Sequence, residues 1–209
     1  DEFRGYDTYE TVDDDYAVAK DGSAAWATKT IVQRYGCNDG VPGEKCDIAG
    51  REHAAILVGF DKAKVQPIAS HVAYATDAAR GTEAPLALPE DALATAAKPV
   101  ADLFSKTIGS PASLAKTVSA RKDVVLLGSA FKERYVGGPA VRARLASWNL
   151  SFKVRDHVAA GLASPTTAWV AANLDAGKTS YRALFVYELT DHTWQLVQAS
   201  FSLPGISPK

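Results

Sequence analysis

The sequence predicts an α+β protein: helices followed by an antiparallel sheet that they cover on one face, preceded by a second, related β-rich unit. Three observations carry this expectation. Apolar residues recur at helical spacing between Glu90 and Ala120, the period shortens to that of strands from Asp123 onward, and strand-like alternation also fills the first 75 residues. A block of helices followed by a block of strands is the pattern of an α+β domain. The chain has 209 residues, 47% of them hydrophobic and 22% charged, which suits a sizeable buried core and excludes collagen-like, disordered and disulfide-dense classes. With 23 basic against 24 acidic residues, the net charge of -1 gives no bulk attraction to nucleic acid or to an anionic membrane. Neither partner is expected.

The chain opens on the acidic DEFRGYDTYETVDDDY, with neither an initiator Met nor a basic-then-apolar leader, as expected of a mature or trimmed chain. Asp13, Asp14 and Asp15 lack the alternating spacing of a calcium loop and read as a solvated turn. Cys37 and Cys46 enclose NDGVPGEK, a run of turn formers able to bring the sulfurs together in one local disulfide at a hairpin tip; the alternative is two free thiols. The disulfide implies a periplasmic or secreted protein, the free thiols a cytoplasmic one. Asp77 to Pro89, rich in Gly, Pro and small residues, reads as a linker, which divides the chain into units 1–76 and 89–204 with residues 77–88 between them.

Within the second unit, Leu93, Ala97, Val100, Leu103 and Phe104 define a first helix that Pro99 is expected to kink or divide. The Ser110-Pro111 pair opens a second, shorter helix with Ser110 as its cap. DVVLLG at 123–128 is a buried strand, and 138–148 is a short amphipathic helix carrying Val141, Leu145 and Trp148. Four strands follow, at 150–157, 166–175, 180–190 and 193–203, joined by tight turns into a meander.

The first unit looks like a copy of the end of the second. An offset of 143 places Trp26 on Trp169, and an offset of 129 places His53 on Arg182 and His71 on Ser200. The difference of 14 residues matches Gly36 to Ala49, the stretch that contains both cysteines. At the first offset Asp1 already falls on Arg144, so this copy has no helices of its own. One apolar sheet face is then expected to need a cover, from the second unit, a second chain or a segment removed before this N-terminus.

In order along residues 88–204, DVVLLGS, YVGGPAVRARLASW, TTAWVAANL, YRALFVYEL and TWQLVQASFSLP resemble the SnoaL-like family. The resemblance is to its branch related to the association domain of calcium/calmodulin-dependent protein kinase II, within the nuclear transport factor 2-like superfamily. It implies a cone-shaped curved antiparallel sheet packed on N-terminal helices, with a pocket at the open end. Its members include isomerases, dehydratases and cyclases as well as non-catalytic ligand-binding and oligomerisation modules. The family's last strand commonly carries a Trp, then a pocket His six residues on, then a Ser. Here those positions are Trp194, Ser200 and Ser202, and only the first unit keeps an imidazole, His71.

The candidate ligand-binding residues are Tyr135, Arg182, Tyr187, Gln198, Ser200 and His71. Strict alternation sets Trp194, Leu196, Gln198, Ser200 and Ser202 on one face, a pocket with an apolar floor and a polar mouth, or else a face turned to solvent or a dimer partner. Arg182 is suited to a carboxylate ligand or to a structural ion pair with Asp156, and only one of Arg182 and Tyr187 can line the pocket. Tyr135 lies at the expected cone mouth, as a lid or as an anchor for its loop. No glycine-rich phosphate loop, metal-ligand spacing or Ser-His-Asp motif is present, so no cofactor and no metal is expected.

Two functions follow from this reading. The first is a non-enzymatic module that binds a small apolar or carboxylate ligand or serves assembly, expected as a homodimer; the second is a cone-pocket isomerase, dehydratase or cyclase. A closed apolar cavity holding a perturbed acid or base favours the enzyme. A cone filled by its own side chains, beside a broad sheet-to-sheet interface, favours assembly.

Overall fold

In the computed structural model, the described residues are 6–35, 48–61, 64–75, 94–130 and 133–203. The proposed linker at 77–88 and both cysteines lie outside them. The first unit contributes four strands, β1 (Tyr6–Val18), β2 (Ala24–Tyr35), β3 (Ile48–Asp61) and β4 (Lys64–Ala75), paired antiparallel in the order β1-β2-β3-β4. Next come a 3-10 turn (Thr95–Ala97), α1 (Lys98–Thr107), α2 (Pro111–Thr117), β5 (Val125–Leu127), β6 (Arg134–Val136), α3 (Gly138–Ser147), and the strands β7 (Lys153–Ser164), β8 (Thr167–Ala176), β9 (Thr179–Thr190) and β10 (Thr193–Ser202). The second sheet runs β6-β5-β10-β9-β8-β7. The α+β class stands.

Several local expectations change. Pro99 divides the stretch rather than kinking it: the 3-10 turn ends at Ala97, and Pro99 sits in the first turn of α1, where its missing N–H has no intrahelical acceptor to lose. Ser110 caps α2, its hydroxyl accepting from the Ser113 N–H at 3.3 Å. The strand expected at 150–157 runs from Lys153 to Ser164, so its second half lies in a stretch read as unassigned. The sheet is not wholly antiparallel, because β5 pairs with β10 in parallel. Asp13, Asp14 and Asp15 belong to β1 and not to a turn, and Asp13 and Asp15 face Arg134.

Helices α1–α3 cover one face of the second sheet. Val100, Phe104, Leu114, Val141 and Leu145 join Val170, Leu174, Phe185, Tyr187 and Leu196 in one buried core. The opposite face of that sheet packs on the first sheet, where Ala17, Trp26 and Leu57 meet Val186, Val197 and Trp169. The resulting order is helices, second sheet, first sheet. Gly59 is needed at this seam, since a Cβ there would stand 2.9 Å from the Ala163 carbonyl oxygen.

The outer face of the first sheet carries the cross-strand rows Tyr16–Ala27–Ile56–Ser70, Val18–Ala25–Val58–Pro67 and Phe60–Val65. Tyr16 is 81% exposed and Val65 62%, and Val18, Ile56 and Phe60 are also exposed. Among the described residues, these five make up most of the large apolar side chains left in water.

Candidate functional site

The space between helices and second sheet is filled by side chains. Phe104 packs on Phe185 with ring centroids 4.9 Å apart, Phe185 on Phe201 at 5.3 Å, Phe201 on Trp148 at 5.2 Å, and Phe152 on Tyr181 at 5.6 Å. Among the described residues, a cavity of about 140 Å3 lies at one end, lined by Glu133, Arg144, Trp148, Tyr181 and Phe201. That is well below the several hundred Å3 of an ordinary ligand site. Tyr135 lies nearby on β6, packed on this core beneath the Arg144 guanidinium, 5.3 Å from its ring.

The expected polar mouth is not in this space. The β9–β10 register shifts between Leu196 and Gln198, making Val197 an extra residue in a β-bulge. An inserted residue reverses every side chain beyond it. Trp194 and Leu196 therefore belong to the helix-side core, whereas Gln198, Ser200 and Ser202 turn to the seam between sheets. The single face expected from strict alternation is corrected on this point. Of the two residues on β9, Tyr187 joins the helix side, with its hydroxyl buried and unpartnered among the described residues, and Arg182 turns to the seam. Burial holds the Tyr187 phenol well above its usual range. The Arg182–Asp156 ion pair is not formed; Asp175 pairs instead with Arg155, at 2.7 Å.

At the seam, His71 stands between two hydroxyls. Its Nδ1 lies 2.7 Å from Ser200 Oγ and its Nε2 2.8 Å from Ser202 Oγ. Burial, aided by the positive charge of Arg182, pushes the imidazole down to about 4, so it is neutral at pH 7. A neutral ring donates through one nitrogen and accepts through the other, and both are occupied. With a hydroxyl at each nitrogen, and no carboxylate on the ring among the described residues, the ring links β4 to β10 as a clasp. Gln198 adds a second tie, donating Nε2–H to the Ala27 carbonyl at 3.1 Å.

Sequence reasoning missed a buried polar link between the units. Glu188 is 1% exposed; its Oε1 accepts the Lys20 backbone N–H at 2.7 Å and its Oε2 accepts from Arg121 Nη1 at 2.8 Å. Arg121 also pairs with Asp123, donates to the Val18 carbonyl at 3.0 Å and lies over the Trp26 ring. Hydrogen bonds from Arg121 hold the Asp123 carboxyl below its usual range, and those from Asp123 and Glu188 raise the guanidinium above its own. The signal was a lone acid inside the apolar run ALFVYEL, since a buried charge must have partners.

Among the described residues there is no group of three or more metal-ligating side chains, and no helix is long and apolar enough to cross a membrane. No family model matches the chain, and no curated protein does. Solved structures similar to it align with about half of its length. A candidate calcium/calmodulin-dependent protein kinase II association domain from Xanthomonas campestris is 16% identical, with 51% of this chain and 84% of that one covered, at a TM-score of 0.41. A DUF4783 family protein from Bacteroides fragilis is 15% identical over 51% of this chain and 98% of its own, at 0.39. A nuclear transport factor 2-like protein of unknown function from Pseudomonas putida is 12% identical over 51% and 83%, at 0.40.

Proposed function

We propose that this chain is a non-enzymatic assembly module of the SnoaL-like type, built as two related units packed sheet to sheet. The observation that carries the reading is the helix-side core, where aromatic rings occupy the volume that a substrate would need. The relation between the units is supported by their bulges. At the offset of 129, the β3–β4 shift between Leu57/Ala69 and Val58/Pro67 coincides with the β9–β10 shift between Val186/Gln198 and Tyr187/Leu196. Contacts across the seam are also reciprocal. Gly59 approaches Ala163 and Glu188 binds Lys20, and the two offsets exchange these pairs. His71 and Ser200 correspond to each other and touch, as residues on a two-fold axis must.

The assembly partner in this reading is a second copy, seated on the outer face of the first sheet. By the same offset Ile56 corresponds to Phe185, which α1 covers in the second unit, yet Ile56 is exposed. Strands about 4.8 Å apart and about 3.3 Å per residue make this face roughly 800 Å2, the area each partner contributes to a standard stable interface. Sedimentation of the whole chain tests the proposal. A dimer at micromolar concentration that Ile56→Lys or Phe60→Lys converts to a folded monomer is expected. A wild-type monomer, or a dimer unaffected by either change, overturns it.

A further inference from the structure

A separate groove of about 720 Å3 lies between α1, α2, α3 and the β9–β10 turn. It is distinct from the filled core and from both faces of the first sheet. Its apolar lining includes Leu103, Val118 and Trp194, and its basic groups are Lys116, Arg142 and His192, with no acidic side chain among the lining residues. That volume holds a drug-sized molecule.

Among the described residues, no carboxylate pairs with these basic groups. Arg121, Arg134, Arg144 and Arg155 each pair with a carboxylate. Arg142 makes no such pair; its side chain donates to the Val118 carbonyl at 2.9 Å, which holds the guanidinium at the groove and leaves its other donors for a ligand. The turn adds a further sign of construction. Asp191 and His192 have φ of 48° and 61°, left-handed values that a two-residue hairpin usually gives to Asn-Gly. Two non-glycine residues there carry a strain cost, and His192 is thereby presented to the groove.

We infer that this groove binds an organic carboxylate with an apolar body, its acid held by Arg142, Lys116 and His192 and its body laid on Leu103, Val118 and Trp194. The inference is independent of the assembly reading. Calorimetric titration of the whole chain with 2-naphthoate, 4-biphenylcarboxylate and dodecanoate, each beside its neutral alcohol, tests it. At least one acid is expected to bind saturably, one molecule per chain, about tenfold more tightly than its alcohol. Lys116→Gln, which changes an exposed side chain, and the Lys116→Gln/Arg142→Gln double variant are expected to weaken binding stepwise, with the thermal midpoint followed in parallel. Ile56→Lys is expected to leave binding unchanged. No saturable binding in the millimolar range, equal binding of acid and alcohol, or binding indifferent to the double variant overturns the inference.

Discussion

Neutral His71 makes the seam sensitive to acid. Its folded pKa of about 4 lies below the unfolded value near 6.5, so between these limits the unfolded chain binds more protons. Stability contributed at this site therefore rises with pH through that window, is complete above it, and falls by about 3 kcal/mol as pH drops to 4. In urea titrations from pH 4 to 7, His71→Gln should flatten this part of the profile, and equal slopes in both proteins would show that His71 is not the titrating group. Arg182→Gln should raise the His71 midpoint in an NMR titration, because it removes a cation from beside the ring. Glu188→Ala leaves the Lys20 N–H and one Arg121 N–H without their acceptor at the seam, while Asp123 still pairs with the guanidinium, and should cost about 2 kcal/mol. Chemical denaturation measures it, and a loss below about 1 kcal/mol would mean that water satisfies both groups.

At the scale of elements, the parts that were legible depend on a few neighbouring residues. Ser110 caps α2 because its own hydroxyl reaches the third N–H beyond it, and Ser110→Ala should lower stability by about 1 kcal/mol in thermal melts. The start of α3 depends instead on distant backbone. A Cβ on Gly138 would lie 2.0 Å from the Ser119 carbonyl oxygen, so Gly138→Ala has to move α3 away from the α2–β5 connection. A loss of about 3 kcal/mol is expected, and an unchanged denaturation midpoint would refute that close approach. The bulge at Val197 was not legible. VQASFS alternates as any regular strand does, and the extra residue shows only against the partner strand, where Leu196 and Gln198 face Tyr187 and Val186 in succession. Deleting Val197 removes the extra residue but keeps Leu196 opposite Tyr187 and Gln198 opposite Val186, so it should leave Gln198 and Ser200 at the seam and cost, in chemical denaturation, only the buried Val197 side chain, about 2 kcal/mol; loss of cooperative unfolding would refute the bulge.

At the scale of the molecule, the second sheet is buried on both faces and the first on one. This asymmetry explains why Val186 and Val197 lie in dry surroundings whereas Tyr16 and Val65 meet water. Helices, second sheet and first sheet form two cores that share the second sheet, so seam and helix-side substitutions should differ in effect. Phe185→Ala opens a void in the aromatic core and should cost about 4 kcal/mol. Ile56→Lys places a charge on a face already open to water and should change sedimentation far more than stability.

The α+β class, the change of period after residue 120 and the α2 cap were all written in the sequence, because periodicity and capping act over a few adjacent positions. The side of the sheet taken by Gln198, Ser200 and Arg182 was decided only in three dimensions. So were the clasp on His71 and the link from Glu188 to Arg121, 67 positions away. A bulge reverses faces without altering composition, and a buried charge chooses partners that only packing brings near.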